Sequence, residues 1–333
     1  MKKHEKQNEE VVVENEVEND YVPTPEPEPE PIVYNDKPLE EIEQERQKFF
    51  KTYRVHNTLK IIISMICIAA VVVACIVIPN VIPQDKANLK SGLMIGIVVA
   101  ALAGTFGYSV FTKRSINNKM RKYFNLYYRK VNEFAMNQEG FSEPVLQEPG
   151  KIDIDLFKDT NLYKDVIDVG SRGLTEFEYN GIPMRIVDCA GNIKDAKRMR
   201  PVFVGKLLHC ATKYLGENTI VIYFKGNEKA LPPTNVKELK VLEDNEKYII
   251  YSNSAEAKKI ISASIKKILN GIEMNKYLID LAISMHDGKI FVCFGYDDPI
   301  MVLPLQNQFD PKPNEQYKKD LGKIIKLVEA LNK

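Results

Sequence analysis

No charged side chain interrupts residues 61–83 or residues 91–112. Each run is about 20 residues long, enough for a helix to cross a hydrocarbon core. A soluble helix carries a polar face, and residues 61–78 have none, so both runs are expected to be membrane spans joined by a short turn holding Asp85, Lys86 and Lys90. Neither run holds an acidic, basic or histidine side chain, which leaves no candidate for an ion or proton relay within one chain.

Other absences narrow the chemistry. Cys67 and Cys75 fall in the first apolar run, and Cys189, Cys210 and Cys293 are widely spaced with no CxxC, so neither a disulfide framework nor a zinc knuckle is indicated. Unpatterned thiols fit a reducing compartment. A cleaved secretory signal is not expected, because the first apolar run starts late and is too long. The phosphate-loop pattern fails twice around Gly205 and Lys206: Arg200 takes the first glycine position and Leu207 the magnesium-binding one. Residues 169–173 are not a nucleophile elbow, because Ser171 directly follows Gly170, and they read as a turn. Asp188 beside Cys189 and His209 beside Cys210 would point to opposite faces of a strand, which leaves only a cross-strand Cys189–His209 pairing to consider. His286 reads as an exposed turn residue, and Asp297 and Asp298 before Pro299 as an acidic turn. No catalytic residue, metal site or cofactor site is assigned.

Charge is unevenly placed. Residues 1–45 carry −11 within a chain of net +1, so the remainder carries +12. Residues 1–37 read as a disordered acidic tail in which proline alternates with glutamate, a solvated spacer or a docking arm for a basic partner. Residues 38–58 have helical periodicity with acids early and bases late. After Thr112 come Lys113, Arg114, Lys119, Arg121, Lys122, Arg129 and Lys130, with no acid before Glu133. Tyr123, Phe124, Tyr127, Val131 and Phe134 interleave with them. A basic amphipathic helix over residues 113–138 is expected to lie on anionic lipid headgroups, and the alternative for its aromatic stripe is packing in a core. No nucleic-acid module follows it. The excess of Lys and Arg on the outer flanks puts both termini in the cytoplasm and the turn outside, as a multi-pass protein of the cell membrane. Gly92, Gly96, Gly104 and Gly107 suit close helix packing, first against the other span, and also in a homo-oligomer.

Residues 139–151 read as a linker. Residues 152–333 read as one cytosolic domain, giving an α+β chain: a two-helix transmembrane hairpin followed by antiparallel hairpins with amphipathic helices. Asn180-Gly181 and Asp287-Gly288 predict two hairpins, with Pro183 marking an exposed edge. Residues 201–213, 219–225 and 247–252 predict strands. Residues 255–270 predict one helix, boxed by Asn253 and Glu256 and ended by Gly271, and residues 316–331 another.

Residues 201–208, residues 245–261 with Tyr251, Ser252, Glu256, Ala257, Ile260 and Ile261 in register, and the strand around Leu281 to Met285 resemble a bacterial membrane-protein family of unknown function (domain of unknown function 3137). Tyr248 stands for the family's usual phenylalanine, and Asn253 and Ser254 for its polar turn. Two spans before a domain are similar as well. The resemblance implies no reaction, cofactor or site. The expected role is a membrane-anchored interaction or scaffold protein with an unidentified protein partner; an enzyme on lipid or envelope precursors and an oligomeric pore or transporter subunit are the alternatives.

Overall fold

The computed structural model describes residues 37–147, 150–195, 198–213, 219–225, 239–296 and 308–332. The acidic stretch 1–36 and the Asp297–Asp298 turn lie outside them. Helix α1, Lys37–Val81, and helix α2, Ala87–Met136, are each unbroken and joined by a 3-10 turn, Gln84–Lys86. They pack antiparallel: Glu41 meets Lys130, Phe49 stacks on Tyr123, and the Lys90 ammonium donates to the Pro79 carbonyl. Both are long and apolar enough to cross a membrane. Ile66, Ile68, Leu102 and Phe106 stand exposed, whereas a soluble core helix would bury them.

α1 and α2 meet along a seam of half-buried positions, Ile63, Cys67 and Val71 on one and Ile97, Ala101 and Thr105 on the other. The glycines are elsewhere. A Cβ added at Gly92, Gly96, Gly104 or Gly107 would meet nothing within 4 Å, so the small-residue face of α2 is turned away from α1, contrary to the expected pairing.

Among the described residues nine strands form one antiparallel sheet: β1 Val145–Leu146, β2 Asp168–Tyr179, β3 Ile182–Asp195, β4 Arg198–Ala211, β5 Ile220–Phe224, β6 Lys240–Asp244, β7 Tyr248–Ser252, β8 Leu278–His286 and β9 Lys289–Tyr296. Their order is β1-β2-β3-β4-β9-β8-β5-β7-β6. Both predicted hairpins form, with Asn180, Gly181, Asp287 and Gly288 all at positive φ, the geometry of tight primed turns. Pro183 does not mark an edge. β3 lies between β2 and β4, and its ladder with β4 starts at Met184, one residue beyond the proline. Residues 169–173 are strand, not turn. β2 bulges between Arg172 and Thr175, where Gly173 has φ +70 and Tyr128 covers it so closely that a Cβ would lie 2.7 Å from the ring. The expected linker joins the sheet as well, since Phe141 bridges Tyr179 and β1 pairs with β2.

The remaining helices among the described residues are the short α3 Ile154–Asp159, α4 Ala257–Ile260 and α5 Ala263–Gly271 and the longer α6 Lys312–Leu331. The single helix expected over 255–270 is therefore two. Ser262 takes extended dihedrals and its hydroxyl accepts from the Ile265 amide, capping α5, while Asn253 instead accepts from the Thr219 amide. One sheet face packs on α2, α5, α6 and the first turns of α1 in a core holding Leu39, Ile42, Tyr127, Phe134, Leu208, Phe294, Tyr317 and Ile324. The other face packs on α3 and its flanks through Phe157, Leu162, Val187, Leu207, Phe291 and Cys293.

Candidate functional site

The part of α2 beyond Thr112 has two faces. Tyr123, Tyr127, Val131 and Phe134 are buried in the main core, so its aromatic stripe is packing surface. Its basic side chains are sorted by height, at about 1.5 Å per residue beyond the apolar run. Lys113 and Arg114 stand at its end, and Lys119, Arg121 and Lys122 stand about 10–15 Å further on, all five exposed. Arg129 and Lys130 are about 26 Å away. There Arg129 pairs with Glu133 at 3.4 Å, and Lys130 bridges Glu133 and Glu41 of α1, both at 2.8 Å. These hydrogen bonds raise the Lys130 pKa and lower that of Glu41. The seven cations are thus an exposed collar of five, Arg129 paired along α2 with Glu133, and Lys130, which ties α2 to α1.

Between the helices, just above the collar, lies a groove of about 480 Å³ lined by Glu41, Lys48, Phe49, Lys119, Lys122 and Tyr123. Phe49 and Tyr123 stack at 5.9 Å to form its floor. Arg46 grips Glu43 at 2.7 Å and holds its carboxyl down to about 2, and Glu43 also accepts from the Phe309 amide. That contact fixes α1 to the chain leading into α6, a link no local sequence pattern announces.

A second concavity of about 700 Å³ lies on the sheet near β1, lined by Glu143, Glu176, Glu178, Arg185 and His209 among others. Burial, then Arg185 and Lys289, pushes His209 down to about 4. His209 and Cys189 are not brought together: in the β3–β4 ladder His209 faces Arg185 and Cys189 faces Gly205. Burial pushes the thiols of Cys189, Cys210 and Cys293 up. Lys206, the lysine of the failed phosphate loop, is buried against Asp188 at 2.6 Å, over the Tyr317 ring. His286 is not an exposed turn residue. It is 3% exposed, and its Nε2 lies 2.7 Å from the Asp159 carbonyl, tying α3 to the β8–β9 turn. Among the described residues no three of His, Cys, Asp and Glu group to hold a metal ion.

No family model matches the chain, and no curated protein does. The crystal structure of the mycobacterial trehalose monomycolate transport factor A is similar to it at 12% identity, covering 60% of this chain and 95% of that one with a TM-score of 0.35. A likeness of that depth carries no function across. The resemblance to the bacterial family of unknown function rests on its three patches of sequence alone.

Proposed function

We propose that this protein is a membrane-anchored platform. α1 and α2 cross the bilayer, the sheet domain stands in the cytoplasm, Lys113 and Arg114 lie among anionic headgroups, and Lys119, Arg121 and Lys122 face them from just above, within reach of the leaflet's surface potential. The observation that carries this reading is the continuity of anchor and domain. Leu39 and Ile42 of α1 and Tyr127, Tyr128, Val131, Phe134, Ala135 and Met136 of α2 lie in the same core as the sheet and α6, so the domain is held in a set pose over the membrane instead of trailing on a tether. A set pose suits a protein that positions something at a surface. The concavity beside Glu176 and His209 is the face offered to a protein partner, and α2's outward glycine face is free for a second copy.

The collar is the testable part. Each basic group near an anionic surface contributes about 1 kcal/mol, and salt weakens it. Hydrogen exchange on the full chain in nanodiscs is expected to slow over residues 113–122 when phosphatidylglycerol replaces phosphatidylcholine, and to recover in high salt. Equal exchange in both lipids would remove the collar from the proposal.

A further inference from the structure

The ends of β3 and β4 leave the sheet. β2 begins at Asp168 opposite Asn192, and β9 pairs with β4 only from Gly205 onward, so among the described residues 193–195 and 198–200 pair with each other alone. The base of this ribbon is held: Ile193 and Val202 pack on the second core. Its end is exposed and basic, with Lys194, Arg198 and Arg200 against Asp195, which pairs with Arg200 at 4.0 Å. Met199 sits among them, 52% exposed.

Three contacts show where the ribbon points. The Arg172 guanidinium lies 5.6 Å from the ring centres of Phe124 and Tyr128, Tyr128 covers Gly173, and Asn132 donates to the Thr175 hydroxyl at 2.8 Å. Higher numbers on α2 meet higher numbers on β2, so strand and helix run in the same sense. The start of β2, and the ribbon beyond it, therefore point back toward the apolar run.

The distances agree. Phe124 and Tyr128, equally near the Arg172 guanidinium, lie about 18 and 24 Å past Thr112 along α2. β2 descends about 13 Å from Arg172 to Asp168, and β3 about 10 Å more from Asn192 to Asp195. A strand inclined by about 40° to the helix would still return about 18 Å of that descent. The ribbon end is then within about 6 Å of the level of Thr112, inside a headgroup layer about 5–8 Å thick.

We infer that the β3–β4 ribbon is a second foot on the membrane, with Met199 at the interface and Lys194, Arg198 and Arg200 on anionic headgroups of the leaflet from which α1 and α2 emerge. This rests on the anchored reading above. It adds a contact apart from the two spans, and two separated supports would resist tilting where one would not. A soluble acidic partner would match the same charges, but would not account for the reach.

The chain contains no tryptophan, so one introduced at a time reports its own surroundings. The full chain would be reconstituted in phosphatidylcholine vesicles, with or without phosphatidylglycerol, using lipids brominated near the headgroup end of the acyl chains. Val110→Trp, inside the apolar run, reports the anchor, and Val145→Trp, in β1 opposite Glu176 of β2, reports a position away from the membrane. Quenching is expected for Val110→Trp and Met199→Trp but not for Val145→Trp, and more for Met199→Trp when phosphatidylglycerol is present. Arg198→Trp serves as a second reporter at the foot. Replacing Arg198 and Arg200 by glutamine in the Met199→Trp chain should weaken the anionic-lipid contact about fivefold per residue. Quenching of Val110→Trp with none at Met199→Trp or Arg198→Trp would overturn the foot and leave the anchor standing. No quenching at Val110→Trp would bring down the anchor, and the foot with it. Equal quenching at Val145→Trp would mean the domain lies on the bilayer by another face, which also refutes the foot.

Discussion

At the scale of single residues the least expected arrangement is the ion pair of Asp188 and Lys206, whose side chains are 2% and 4% exposed. The charges face each other across β3 and β4 on the helix-packed side of the sheet, under the Tyr317 ring. Removing one partner strands a buried charge. Asp188→Ala is expected to cost about 3–5 kcal/mol, while exchanging both for apolar residues of like volume, Asp188→Leu with Lys206→Met, should be close to neutral. Denaturant unfolding of the two variants checks this, and equal losses in both would mean that the pair itself is a net stabiliser. His209 makes a pH prediction. Its folded value of about 4 lies below its unfolded 6.5, so the unfolded chain binds more protons between them. The stability it contributes is complete above about pH 6.5 and is lost as pH falls toward about 4. His209→Gln should flatten the thermal midpoint across that window. An unchanged slope would assign the loss to other groups.

At the scale of elements, the first turns of α1 belong to the domain. Residues 38–58 read as an amphipathic approach to a span, yet Leu39 and Ile42 lie in the main core, Phe49 is buried against Tyr123, and Glu43 accepts from the Phe309 amide ahead of α6. A chain starting at residue 50 should therefore lose domain stability, and Leu39→Ala with Ile42→Ala should reproduce the loss at about 2–5 kcal/mol for each fully buried side chain. Urea unfolding followed by loss of the sheet signal is the measurement. If the sheet keeps its stability, α1 is only an anchor. For the same reason a soluble piece beginning at residue 113 is a poor stand-in for the domain.

At the scale of the whole molecule the orientation in the bilayer governs everything else. Lys48, Lys51, Arg54 and Lys60 precede the apolar pair, and the collar follows it, against Lys86 and Lys90 in the turn. This charge bias favours a cytoplasmic domain and an external turn. The native thiols of the domain are no use as internal controls, because Cys189, Cys210 and Cys293 are buried and would resist labelling on either side. An impermeant thiol reagent applied to intact cells should label Asp85→Cys and spare Lys326→Cys, on the exposed face of α6. Permeabilised cells should expose both. Labelling of Lys326→Cys alone in intact cells would invert the molecule.

What the sequence alone determined is what depends on neighbours along the chain. Uninterrupted apolar runs, Asn-Gly and Asp-Gly turns and the 3.6-residue face of Tyr317, Leu321, Ile324 and Val328 are local statements, and each was legible. The collar was legible as charge, and so was Glu133 within one turn of Arg129 and Lys130, but not the tie of Lys130 to Glu41, distant in sequence and close in space. The two-residue β1, the bulge at Gly173 and the break before Ser262 were missed, since a short strand or a changed register is stabilised by what packs on it. The charges of Lys194, Arg198 and Arg200 are local as well, but what they could meet depends on which way β2 runs beside α2. Only the packing of Tyr128 on Gly173 and Asn132 on Thr175 decided that direction, because the sense in which a strand lies along a helix is set by contacts between residues some forty positions apart.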